Sequence, residues 1–128
     1  MAKRLLAIED DHLHHLIIGK IAGNAGYEAI IATSVENATV LLHQGTFDCI
    51  TLDLSLGDRS GVDVLHVLAG LRTQVPIIIF SGTDDADCQA TVSIGKSLGL
   101  NICQPLAKPA GVVELRKALD SISAMADS

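Results

Sequence analysis

At 128 residues, 48% apolar and 19% charged, the chain has the size and composition of one globular domain with a substantial core. A net charge of -6 and only three aromatics, Tyr27, Phe47 and Phe80, argue against direct nucleic-acid binding. An odd number of cysteines, Cys49, Cys88 and Cys103, widely spaced in apolar or helical context, argues for reduced packing residues rather than a disulfide framework or zinc site. No run approaches the roughly 18 apolar residues of a membrane span, and the N-terminal MAKRLLAIEDD turns acidic too early for a signal peptide. The expectation is a soluble, cytoplasmic protein without membrane partners.

In chain order, the first apolar run is LLAI (5–8), short enough for a strand. It ends on Glu9, Asp10 and Asp11, and Asp11 reads as the N-cap of a helix. Leu13, Leu16, Ile17 and Ile21 recur on one face of that helix and predict its buried stripe, which makes His12, His14 and His15 solvated surface near the acids. The Gly23 to Gly26 segment with Asn24 marks the helix end. A strand follows in YEAIIA (27–32), and then Ser34 caps a second helix carrying Leu41 and Leu42. DCITL (48–52) and PIIIF (76–80), rich in β-branched residues, are the third and fourth strands. Ser60 caps VDVLHVLAGL, and Thr83 with Asp84, Asp85 and Asp87 opens the fourth helix. LNIC (100–103) reads as the fifth strand. Pro109 opens the last helix, whose Val112, Val113, Leu115, Leu119 and Ile122 form its apolar stripe.

Strands that are apolar throughout, alternating with helices, imply a parallel sheet covered on both faces. The predicted fold class is α/β: a (βα)5, doubly wound, five-stranded parallel sheet of flavodoxin-like order 2-1-3-4-5, in three α/β/α layers, filling residues 1–128 as one domain. In such sheets ligands bind beyond the carboxyl ends of the strands. Those ends deliver Glu9, Asp10 and Asp11 after the first strand, Asp53 after the third, Ser81 after the fourth and Lys108 after the fifth.

Carboxylates crowded at buried strand ends need compensation, and a hard divalent cation of the magnesium type supplies it. Glu9, Asp10 and Asp53 would hold that ion and leave positions open for phosphate oxygens, while Lys108 would grip a phosphoryl group as a point charge. Ser81 could donate a hydrogen bond to the same group. Asp53, at the end of the middle strand, is the candidate nucleophile.

The set IEDD, ITLDLSLGDRSG, PIIIFSG and Lys108-Pro109, in that order, resembles the receiver domain of bacterial two-component response regulators over essentially the whole chain. The resemblance implies that Asp53 accepts a phosphoryl group from a phosphohistidine on a histidine kinase or phosphotransfer protein. It also implies Mg2+ held by Glu9, Asp10 and Asp53 with the backbone carbonyl of Ser55 as a further ligand, Ser81 as the switch hydroxyl, and Lys108 paired with the phosphate. An output protein or domain, and a dimer formed on phosphorylation, belong to the same implication. Such a chain promotes its own phosphorylation and dephosphorylation and turns over no external substrate. Two departures stand out: Gly57 replaces the usual proline after the acceptor, and LNICQP lacks the family's switch aromatic. They keep open an alternative, a receiver-like interaction module that works without phosphorylation. A dinucleotide-binding domain is excluded because acids rather than glycines follow the first strand. A phosphatase with an aspartyl-phosphate intermediate would resemble its relatives in carrying a second Asp two residues after Asp53, where this chain has Ser55.

Overall fold

The computed structural model describes residues 3–54, 61–81, 85–108 and 111–126. Strands β1 (Lys3–Ile8), β2 (Tyr27–Ala32), β3 (Cys49–Asp53), β4 (Ile77–Ser81) and β5 (Leu106–Ala107) form one parallel sheet in the order β2-β1-β3-β4-β5. Helices α1 (His12–Asn24), α2 (Val35–Gln44), α3 (Gly61–Gly70), α4 (Asp85–Ser97) and α5 (Val112–Ala126) connect and follow them. This is the expected flavodoxin-like doubly wound arrangement.

Alternation along each strand divides the core into two layers. Leu5, Ala7, Cys49, Ile78 and Phe80 pack with Ile18, Ile21 and Ala22 of α1 and with Leu115, Leu119 and Ile122 of α5. Leu6, Ile8, Ile50, Leu52, Ile77 and Ile79 point the other way, against α2, α3 and α4. All three cysteines are free thiols; burial pushes the pKa of Cys49 well above its ordinary value.

Local chemistry sets several boundaries. The Asp11 carboxylate accepts from the amides of Leu13 (3.0 Å) and His14 (3.3 Å), and the Ser34 hydroxyl accepts from Asn37, so both expected N-caps are present. After α1 the chain turns into β2 through Gly26, whose φ of +88° suits a residue without a side chain. The caps expected at Ser60 and Thr83, and the helix start at Pro109, lie outside the described residues.

The fifth strand differs from its expected place. Ile102 makes an isolated parallel bridge to Ile77, with the Ile77 amide donating to the Asn101 carbonyl and the Cys103 amide to the Ile77 carbonyl, both at 2.9 Å. Continuing that ladder would require an N–H from residue 105, which is proline and has none. Pairing resumes only at Phe80–Leu106 and Ser81–Ala107, one residue out of step with the first bridge, so β5 is Leu106–Ala107 rather than 100–103.

Two helix faces also differ. In α1 the buried side chains are His14, Ile18, Ile21 and Ala22, whereas Leu13 and Leu16 are 70% and 60% exposed and Ile17 also faces solvent. The helix is apolar nearly all round, so spacing alone could not choose a face. In α5, Leu115, Leu119 and Ile122 are buried as expected, but Val112 and Val113 are exposed.

Candidate functional site

The sheet register assembles the site. Ile8 lies opposite Leu52, so Glu9 emerges beside Asp53; Asp53 pairs with Phe80, placing Ser81 one step further along the same edge. Ser81 pairs with Ala107, and its carbonyl accepts from the Lys108 amide at 2.8 Å, so the lysine leaves β5 at this edge too. Four elements distant in sequence therefore converge.

Glu9 and Asp53 are each about 1% exposed. A buried carboxylate is tolerated only if its charge is balanced and its oxygens are bonded. The Lys108 ammonium does much of this: Nζ stands 2.7 Å from Asp53 Oδ2, 3.4 Å from Glu9 Oε1 and 3.7 Å from Asp11 Oδ2. Glu9 Oε1 also accepts from the Asp11 amide at 3.0 Å, and Glu9 Oε2 lies 2.5 Å from His14 Nδ1. The Glu9 carbonyl accepts from His15 Nε2.

Burial raises the Glu9 pKa above its ordinary value, and the adjoining Asp53 adds to this; the hydrogen bonds from His14 and the Asp11 amide pull it back only in part. Burial works against the Lys108 charge, yet the hydrogen bond and field of Asp53, joined by Glu9, outweigh it and raise the lysine's pKa. Asp11 is the opposite case: its cap bonds, the His14 amide first, lower its pKa.

One oxygen each from Glu9, Asp10 and Asp53 lie within 4.8 Å of one another. Three hard oxygens at that spacing, two on buried side chains and one on exposed Asp10, could hold a divalent cation. The donor set suits a small hard ion, and Asp10 leaves one side of it open to solvent.

The structure thus brings together Glu9, Asp10, Asp53 and Lys108. Ser81 is buried at the end of β4 beside them, and Ser55 lies outside the described residues. Asp11 caps α1, as expected, and also contributes charge near Lys108. The three histidines require a correction. His14 is 2% exposed and bonded to Glu9, and His15 is half-buried against the Glu9 backbone, so neither is simply solvated surface. His12 is exposed, with its ring 5.9 Å from that of His15. The available signal was the set 14, 18, 21 and 22, which has helical spacing once a histidine is allowed in the stripe.

Residues 5–120 match the response regulator receiver domain family. The chain belongs to that family. It is 33% identical over 92 residues to the cell cycle transcriptional regulator CtrA of Caulobacter vibrioides, covering 72% of this chain and 40% of that protein. It is 32% identical over 115 residues to the regulatory protein VirG of Agrobacterium fabrum, covering 88% of this chain and 42% of VirG. The receiver therefore spans about two-fifths of the length of these relatives.

Among solved structures, a signal receiver domain of a putative Luxo repressor protein from Vibrio parahaemolyticus superposes with a TM-score of 0.82 at 20% identity, over 99% of this chain and 94% of that one. A response regulator protein from Burkholderia pseudomallei, solved with a phosphorylated aspartic acid, calcium ion and citrate, is similar at 26% identity and a TM-score of 0.77, covering 98% of this chain and 71% of the other. Among the described residues of this receiver, no helix is long and apolar enough to cross a membrane. Neither described strand residue of β5 is aromatic.

Proposed function

We propose that this receiver is a phosphoacceptor switch in which Asp53 takes a phosphoryl group from a phosphohistidine on a histidine kinase or phosphotransfer protein. The observation that carries this reading is the 2.7 Å contact between the Lys108 ammonium and the buried Asp53 carboxylate, beside the oxygens of Glu9 and Asp10. The likeness to the Burkholderia pseudomallei protein, which holds a phosphorylated aspartic acid and a calcium ion, supports it.

In the proposed reaction, an Asp53 carboxylate oxygen attacks phosphorus in line, the P–N bond to the donor imidazole breaks, and the departing ring nitrogen keeps the bonding pair and is protonated. Lys108, already bonded to Asp53, follows the charge onto the phosphoryl oxygens. Glu9, Asp10 and Asp53 would hold Mg2+, with the Ser55 carbonyl as a further ligand; the bound ion supplies charge neutralisation for an incoming anion. Ser81 donates a hydrogen bond to the new phosphoryl group, and the resulting movement at the end of β4 changes partner affinity. The output is read by a protein or domain outside this chain, in the cytoplasm, with dimerisation as one form of readout.

The test is incubation with acetyl phosphate and Mg2+, followed by intact mass measurement of wild type and Asp53→Ala. A single phosphoryl gain in the wild type alone is the expected result. No gain in either protein overturns the reading in favour of a phosphorylation-independent interaction module.

A further inference from the structure

His14 occupies the first turn of α1 at a position that the packing would give to an apolar residue. It continues the stripe of Ile18, Ile21 and Ala22, and it is 2% exposed. A buried imidazole there costs free energy relative to leucine unless its polar atoms are used. Nδ1 is used, at 2.5 Å from Glu9 Oε2; with a carboxylate as acceptor, Nδ1 carries the proton. The ring is also held edge-on to Phe80, with centroids 5.0 Å apart and planes at 83°. Phe80 is fully buried and is the sheet partner of Asp53, so one rigid residue supports both the histidine and the strand carrying the acceptor.

The two oxygens of Glu9 are consequently distinguished. Oε2 is taken by His14, while Oε1 faces Lys108 and receives the Asp11 amide. The His14 and Asp11 contacts come from the first turn of α1 and the residue capping it, and the Lys108 contact from the end of β5. Free rotation about the last bond of Glu9 would otherwise let either oxygen, or neither, face Asp53 and Asp10.

We propose that His14 is a positioning residue for divalent-cation binding: its Nδ1–H fixes the Glu9 carboxylate so that Oε1 is presented to the cluster with Asp10 and Asp53. This rests on the reading of Glu9, Asp10 and Asp53 as cation ligands. Hydrogen-bond donors that orient metal-binding side chains are commonly worth 10- to 100-fold in affinity.

The test is calorimetric titration of wild type, His14→Leu, His14→Met and His14→Asn with Mg2+, alongside thermal melts. Leu and Met both remove the donor while filling the apolar site, so at least one folded variant is expected. Asn places its amide nitrogen where Nδ1 lies. The donor-less variants should bind Mg2+ about 10-fold or more weakly while still melting cooperatively, at a temperature lowered by the Glu9 oxygen left without its donor, and His14→Asn should stay within about 3-fold. In 15N-labelled wild type, Mg2+ should shift the His14 ring nitrogens. Equal affinity in a folded Leu or Met variant, equal losses in Asn and Leu, or ring nitrogens unmoved by saturating Mg2+ would each overturn the proposal. Wild type that binds no Mg2+ removes both this inference and the cation reading; wild type that binds Mg2+ yet gains no phosphoryl mass removes the phosphoacceptor reading and leaves the His14 test standing.

Discussion

Removing the Lys108 charge is the sharpest perturbation of the site, because two nearly inaccessible carboxylates depend on it. At an effective dielectric of about 20, a pair at 2.7 Å attracts by about 6 kcal/mol and one at 3.4 Å by about 5 kcal/mol, both before desolvation. Stripping one member from a buried pair typically costs about 3–5 kcal/mol. Lys108 retains 21% exposure, so water already screens part of the field and the lower end applies, about 3 kcal/mol for Lys108→Met in EDTA at neutral pH. For a domain of this size that corresponds to a fall of roughly 12 °C in Tm. Asp53→Asn should be neutral or stabilising under the same conditions, since it removes a charge that repels Glu9. In the double-mutant cycle the lysine should then matter less by about 2 kcal/mol. Mg2+ should raise the Tm of Lys108→Met more than that of wild type, because a cation then supplies the compensation the lysine gave. Urea or thermal melts of the four proteins, with and without Mg2+, decide the matter. A Lys108→Met Tm within a degree or two of wild type, or strict additivity, would refute the electrostatic account of the site.

Glu9 has a raised folded-state pKa, so the native state binds more protons than the unfolded chain in the window opening at its ordinary 4.5; stability in EDTA should fall as pH rises through that window, and Mg2+ should flatten the slope. Asp11, with its pKa lowered from 3.8, contributes stability that is present above that value and lost as pH falls through its lower folded-state pKa, so the two effects separate in denaturation curves measured with EDTA across the acid range. Thr51 is 1% exposed and its hydroxyl is the buried side-chain atom without a partner among the described residues; Thr51→Val keeps the shape, and chemical denaturation should show a gain of about 1 kcal/mol. Gly95 of α4 faces Ile102, where an added Cβ would stand 2.7 Å from Cδ1; Gly95→Ala should cost about 1–3 kcal/mol by the same measurement despite alanine's better helix propensity.

The parts legible from the sequence are those set by local chemistry. β2 runs over the expected 27–32, and β1, β3 and β4 differ from expectation only at their ends, because each strand is a short apolar run bounded by turn residues. Asp11 and Ser34 cap as expected because capping is a bond within three residues. Strand-end acids and Lys108 could be brought to one edge on topology alone, since parallel strands all end on the same side. β5 does not follow apolar character, because hydrogen-bond supply overrides it: LNIC is the more apolar run, but Pro105 cannot donate the next bond, and the ladder resumes later.

The face that α1 buries is chosen by tertiary contacts rather than by its own periodicity. Leu13, Leu16 and Ile17 on one side and Ile18, Ile21 and Ala22 on the other give this helix nearly equal apolar stripes, so burial of either would satisfy the periodicity. Burying the first would leave His14 in water and Glu9 with an unbonded oxygen beneath the sheet edge; burying the second brings the histidine to that oxygen and turns two leucines out. Leaving Leu13 and Leu16 exposed forgoes roughly 1.5–3 kcal/mol for each side chain, partly recovered by Ile18 and Ile21. An unsatisfied buried carboxylate oxygen costs at least as much. The rotation of α1 is therefore coupled to the ionisation and orientation of Glu9, so a charge placed at the sheet edge helps to choose which face of a neighbouring helix the core receives.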